Sequence, residues 1–167
     1  GPQLAVWVLD TNHLAGVADA QTAWLERSLR ERRETRFRFA LYHVSLSPSH
    51  RSYADGTPSA GRQHWVPLFD AFGLTAAFEN HEHLLKRSHP LRGGELAADG
   101  QGTLYIGDGC WGKSHVRKPV GDRWYIAKAL RRRHVWSVTL SDDEVRYTAL
   151  GAAGQVLDET LQRVGPR

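Results

Sequence analysis

Methionine is absent from the 167 residues, and cysteine occurs once, as Cys110. One cysteine excludes an intrachain disulfide and a cysteine-rich zinc site, while leaving the compartment open. A chain without methionine has no start residue of its own, and Gly1-Pro2 is what certain tag-removing proteases leave behind. The expectation is a processed or excised piece of something longer, with residues 1–3 set aside, 4–163 forming one domain-sized unit and 164–167 a tail. Long apolar runs are missing too: none approaches the ~20 residues needed to span a bilayer, and no secretory signal is visible at the start. Neither sign of charge dominates: 22 Lys and Arg against 18 Asp and Glu give +4. That balance describes a solvated, mildly basic surface with some attraction for phosphate-bearing ligands. Hydrophobic content of 41% with six Trp excludes disorder.

What is there reads as alternating strands and helices. Leu4-Ala5-Val6-Trp7-Val8-Leu9 is a strand-like apolar run stopped by the turn residues Asp10-Thr11-Asn12. Ala23, Trp24, Leu25 and Leu29 recur among charges over 21–33, the pattern of an amphipathic helix. Phe37, Phe39 and Leu41 alternate along a second strand that runs into His43. Residues 45–62 are polar with Pro48, Gly56, Pro58 and Gly61, a length typical of lids and mobile loops. Trp65, Val66, Leu68, Phe69 and Phe72 have helical spacing, and Gly73 stops that helix. Strands are expected over 74–78 and 103–106, the latter broken by Gly107-Asp108-Gly109, whose glycines permit close backbone approach. Residues 113–128 read as polar and irregular. From Val135 onward the alternation is that of antiparallel hairpins, with turns at Ser141-Asp142-Asp143 and at 151–154. The fold class expected is α/β, a layered sheet with flanking helices that ends in antiparallel hairpins.

The chemistry concentrates in Glu79-Asn80-His81-Glu82-His83, just past an apolar strand. Two imidazoles one residue apart can aim at one point if the backbone turns between them, and neutral imidazole is the commonest protein metal ligand. His43 also ends a strand, and a Gly-rich loop follows Ile106. If these strands share one sheet in one sense, their loops gather at one edge, where ligand sites of layered α/β proteins lie. Three imidazoles alone could hold a single zinc, with water completing the tetrahedron.

The same segments resemble the calcineurin-like metallophosphoesterases, in their purple-acid-phosphatase-like branch. Leu9-Asp10-Thr11 and Gln21-Thr22-Ala23-Trp24-Leu25 resemble its "LDS…QxxWL", and Leu41-Tyr42-His43 the strand ending in a metal histidine. Asn80-His81-Glu82-His83 resembles "GHxH", Leu85-Lys86-Arg87-Ser88-His89-Pro90 the "YER…P" tail, and 103–109 "VYITIGDGG". Residues 135–160 look like the closing hairpins of that domain. The resemblance implies a site between two β-sheets that hydrolyses phosphate esters with two divalent or trivalent metal ions, Fe, Mn or Zn. His43 and His81 would bind one metal and His83 the other. His50 falls where the family carries a histidine that contacts phosphate or protonates the leaving group, and Asn80 would stand beside the substrate. An exported or periplasmic setting is part of the resemblance, though nothing in the chain decides it.

Two departures matter. The family's Gly before H-x-H is Asn80 here, expected to take the positive φ in its place. The upstream motifs that supply the remaining ligands, D-x-H, G-D-x-x-D or Tyr, and G-N-H-E or D, are not found, and Asp10, His13, Asp70 and Asp108 do not replace them. The chain is therefore expected to be the C-terminal half of the domain, holding at most one metal by itself and inactive or nearly so. Its partner would be the missing N-terminal half or another copy, across an apolar face left uncovered. The competing reading is a non-catalytic module that binds a partner. Arg131-Arg132-Arg133-His134 beside Trp136 comes without a nucleic-acid motif, so no specific nucleic-acid partner is expected. His89, His115, His134 and His13 are read as structural or surface residues.

Overall fold

A computed structural model describes residues 2–11, 14–107 and 109–165; Asn12, His13 and Asp108, named above, lie outside the described residues. Leu4–Leu9 (β1) and Phe37–Val44 (β2) run parallel, joined by the helix Ala20–Glu31 (α1). Leu25 and Leu29 turn inward from α1, and the Trp7 indole N–H donates to Ser28 Oγ at 2.8 Å. Helices Gly56–His64 (α2) and Val66–Phe72 (α3) follow, parted at Trp65; α3 is the helix expected before Gly73, whereas α2 forms largely within residues 45–62, which the sequence reads as a loop. Gly73, at φ 61°, closes α3 in the left-handed conformation that glycine adopts without penalty.

The third strand, Ala76–Asn80 (β3), sits two residues later than the sequence suggests. Leu85–Ser88 (β4) follows; Leu91–Arg92 (β5) and Glu95–Leu96 (β6) form a small hairpin; Leu104–Gly107 (β7) and Ile126–Leu130 (β8) complete a six-stranded sheet. Its order is β1-β2-β3-β7-β4-β8; the first four are parallel, β4 runs against them, and β8 runs antiparallel to β4. His134–Leu140 (β9), Glu144–Gly151 (β10) and Val156–Arg163 (β11) form a second, antiparallel sheet. The expected class, a layered α/β domain ending in hairpins, is the one observed.

Alternation along β2 shows how the layers assemble. Ala40 and Tyr42 face the helices, in a core with Leu25, Leu29, Trp65 and Phe69. Phe37 and Phe39 face the hairpin sheet, meeting Val145 and Tyr147. The hairpin sheet also grips the main sheet through polar contacts. Arg87 pairs with Asp158 at 2.7 Å, Gln162 Nε2 donates to the Thr75 and Gly102 carbonyls, and His134 and Trp136 donate ring N–H groups to the Gly107 carbonyl at 3.0 Å each. The cover stops short of β1: Leu4, Val6 and Val8, with neighbouring Leu41, are 38–69% exposed. Among the described residues no helix is long and apolar enough to cross a membrane.

Candidate metal and phosphate site

Three parallel strands, β2, β3 and β7, deliver His43, the His81-Glu82-His83 turn and the Gly107 loop to one edge of the sheet, as the strand-end argument expects. The turn is built differently from the expectation. Positive φ falls on His81 (70°) and His83 (55°), not on Asn80. Asn80 ends β3 in extended form, with its side-chain amide donating to the Tyr42 carbonyl at 3.0 Å and its own carbonyl accepting from Glu82 N at 2.8 Å. Two non-glycine residues in the left-handed region cost on the order of 1–2 kcal/mol each, and such strain collects at functional sites. Gly109 makes the turn possible, because a Cβ there would lie 3.1 Å from the His81 nitrogen.

Glu82, a mere spacer in the sequence reading, is what fastens the site. Its carboxylate is 2% exposed and accepts from the backbone N–H of Ser49, His50 and Arg51 and from Ser49 Oγ. The loop after β2 is thereby laid over the histidine turn. Beneath it, Glu79 and Lys86 form a fully buried ion pair. Glu79 also accepts from Tyr42 Oη at 2.8 Å and Leu46 N at 2.7 Å, while Lys86 donates to the Ser47 carbonyl. Burial first, then the Glu79 charge, pushes the Tyr42 phenol well above its usual range, so it stays a donor.

The imidazoles come in pairs. His81 Nδ1 and His43 Nε2 stand 2.8 Å apart, their ring centroids at 4.7 Å. Two nitrogens bound to one zinc at ~2.0–2.1 Å stand roughly 3.3 Å apart in a tetrahedron, so about half an ångström of ring movement turns this hydrogen-bonded pair into a chelating one. His83 stands 9% exposed with its Nδ1 buried and without a hydrogen-bond partner among the described residues. Its ring faces His115 instead, at 5.5 Å. Burial, then Arg51, His43, Arg117 and His83, holds His81 at about 4. Burial, then Arg117, Lys113, His115 and His43, lowers His83. Both rings are therefore neutral near pH 7, the form a metal requires. Among the described residues no group of three or more His, Cys, Asp and Glu is arranged to hold one metal ion. The described geometry brings the imidazoles together two by two, His43 with His81 and His83 with His115.

His50 belongs to the fastened loop. Its Nδ1–H donates to the Lys118 carbonyl at 2.7 Å, which keeps the lone pair of the neutral ring on Nε2. A cleft of about 210 Å³ opens beside His81 and Glu82, lined also by Ser45, Arg51, Asp55 and the first turn of α2. A larger cavity of about 610 Å³ lies at the other ends of β3 and β7, among Arg38, Asp70, Arg92 and Arg163, away from the histidines. His134, expected to be structural, is buried and bonded to Gly107 and Cys110. His89 is exposed. His115, in no local motif and read as structural or surface, is exposed with its ring 5.5 Å from that of His83.

No protein-family model matches the sequence. Two curated proteins from Mycobacterium tuberculosis strains, both described as uncharacterized, are 36% identical over 77 residues, which is 44% of this chain and 14% of theirs. Among solved structures, the purple acid phosphatase PPD1 from yellow lupin (Lupinus luteus) seeds superposes with a TM-score of 0.82 at 16% identity, over 95% of this chain and 30% of that one. GAP50, described as the anchor in the inner membrane complex of Plasmodium, gives 0.76 at 11% identity over 97% and 50%. PhoD gives 0.57 at 9% identity over 87% and 32%. The chain thus has a purple-acid-phosphatase-like metallophosphoesterase fold. It spans about one seventh of the curated relatives it matches and under a third of the lupin phosphatase.

Proposed function

We propose that this chain is the C-terminal half of a metal-dependent phosphoesterase domain that hydrolyses phosphate mono- or diesters at a dinuclear centre. His43 and His81 would hold one cation and His83 the other, with Fe, Mn or Zn as candidates. The observation that carries this reading is the close His43–His81 pair, with His81 neutral, next to His83, whose buried Nδ1 has no hydrogen-bond partner among the described residues, at the ends of parallel strands. Cations there supply charge neutralisation and water activation. The chain's own residues do the rest. Arg51, next to His81 in the cleft, attracts the phosphate. Asn80 commits one of its two amide hydrogens to Tyr42 and keeps the other for a phosphate oxygen. His50, its tautomer set by Lys118, presents Nε2 for a proton on its way to the leaving oxygen.

Among the described residues no carboxylate joins these histidines in a group that could hold a metal ion. An assay with added Mn2+, Fe or Zn2+ is expected to give little or no turnover. Robust hydrolysis by the isolated chain, abolished in His81→Ala, would overturn the half-site reading.

A second reading, a module that binds a partner chain without catalysis, is favoured by the uncovered row Leu4, Val6, Val8 and Leu41 along β1 and β2. Contiguous apolar surface marks interaction sites. Light scattering is expected to find self-association or a second bound chain; a clean monomer at high concentration counts against both this module and the missing-half partner.

A further inference from the structure

Resting on that metal-site reading, we propose that His115 shares one transition-metal cation with His83, so that this chain completes a two-imidazole site of its own. Two imidazoles on one cation have ring centroids about 5 Å apart, given metal–nitrogen bonds of ~2.0–2.1 Å and a tetrahedral angle. The His83 and His115 rings stand 5.5 Å apart with planes at 67°. His83 Nδ1 is buried and has no hydrogen-bond partner among the described residues, an arrangement that costs free energy unless something pairs with it.

His115 is not adrift on a loose loop. Arg117 N donates to the His83 carbonyl at 3.0 Å. Arg131 Nε donates to the Val116 carbonyl at 2.8 Å, and Arg133 Nη2 to the Lys113 and Ser114 carbonyls at 2.9 and 3.0 Å. The carbonyls on both sides of His115 are therefore strapped by arginines from the turn between β8 and β9. The arginine run, which suggested a solvated face, acts here as the fastening of an exposed histidine over a buried one. Lys113 and Arg117 face the same ring and oppose a cation. Such a site suits a nitrogen-preferring metal of the zinc, cobalt or nickel kind rather than Ca2+ or Mg2+, and it binds more tightly when a phosphate anion is present to balance the charge.

Metal-free chain titrated with Co2+, followed by visible absorption and calorimetry with and without inorganic phosphate, tests this. The expected result is one cation per chain, with affinity falling by more than about tenfold in His115→Ala, since losing a direct ligand costs at least as much as losing its outer-shell support. The control His89→Ala, at an exposed residue, should retain that cation. Circular dichroism checks that each variant folds, and imidazole NMR signals of His115 should shift on Zn2+ addition in the wild-type chain. An unchanged isotherm for His115→Ala, alongside weakening in His83→Ala, sinks the present inference and leaves the phosphoesterase reading standing. Binding that is indifferent to His43, His81 and His83 alike sinks both, as does a wild-type chain that takes up no metal.

Discussion

Lys86→Met is expected to destabilise the chain by about 3–5 kcal/mol, the usual cost of leaving one member of a buried ion pair unpaired. The Lys86 ammonium and the Glu79 carboxylate are both fully buried. The lysine stem lies against Gly107, where a Cβ would clash with Lys86 Cγ. Glu79 keeps Tyr42 Oη and the Leu46 amide as donors, which cannot replace a positive charge. For a chain of this size the change corresponds to a fall in Tm of roughly 10 °C or more. Glu79→Gln combined with Lys86→Met should recover part of the loss, because the amide oxygen still accepts from Leu46 without burying a charge. Urea unfolding of the two variants measures this. A cost below about 1 kcal/mol for Lys86→Met, the range of exposed pairs, would mean that the pair is open to water.

The second large effect belongs to Glu82→Ala. Removing this carboxylate strands the amides of Ser49, His50 and Arg51, each at about 1–3 kcal/mol if it stays buried. The loop is expected to lift instead, so that the measured loss settles near 3 kcal/mol and His50 leaves its bond to Lys118. Burial opposes the charge on Glu82, but Lys86 and the three amides outweigh it and hold its carboxyl below the usual range. A depressed folded value means that the contribution is complete above the unfolded value of ~4.3 and is lost as pH falls through the folded one. The gap in stability between wild type and Glu82→Ala should therefore be level from pH 7 to about pH 5 and narrow below pH 4. A gap that widens on acidification would contradict the assignment.

These two carboxylates also mark where sequence reading stops. The alternation of Phe37 and Phe39 against Ala40 and Tyr42 is local, so β2 and the final hairpins are legible, and so is a histidine pair past an apolar strand. Strand β4, Leu-Lys-Arg-Ser, is not, because its two central charges look like solvent-facing residues. Only Glu79 from β3 buries Lys86 completely, and Asp158 from β11 holds Arg87 half-buried. Strand β8 hides in a polar stretch for the same reason: its pairing with β4 has no local signature. Glu82 reads as the spacer of H-x-H until the loop that it holds, more than thirty residues earlier, is seen to cover it. Asn80, standing in for the family's Gly, is the residue expected to take positive φ, whereas its tether to Tyr42 keeps it extended and passes the turn to the histidines.

The bonds from His134 and Trp136 to Gly107, and from Gln162 to Thr75 and Gly102, have a consequence for the order of events during synthesis. Both ends of the central strands are pinned by residues near the close of the chain. A chain emerges from the ribosome N-terminal end first, so the histidine rim cannot settle until residues 134–162 have been made. Its closure is a late, non-local event of the slow class that long sequence separations impose.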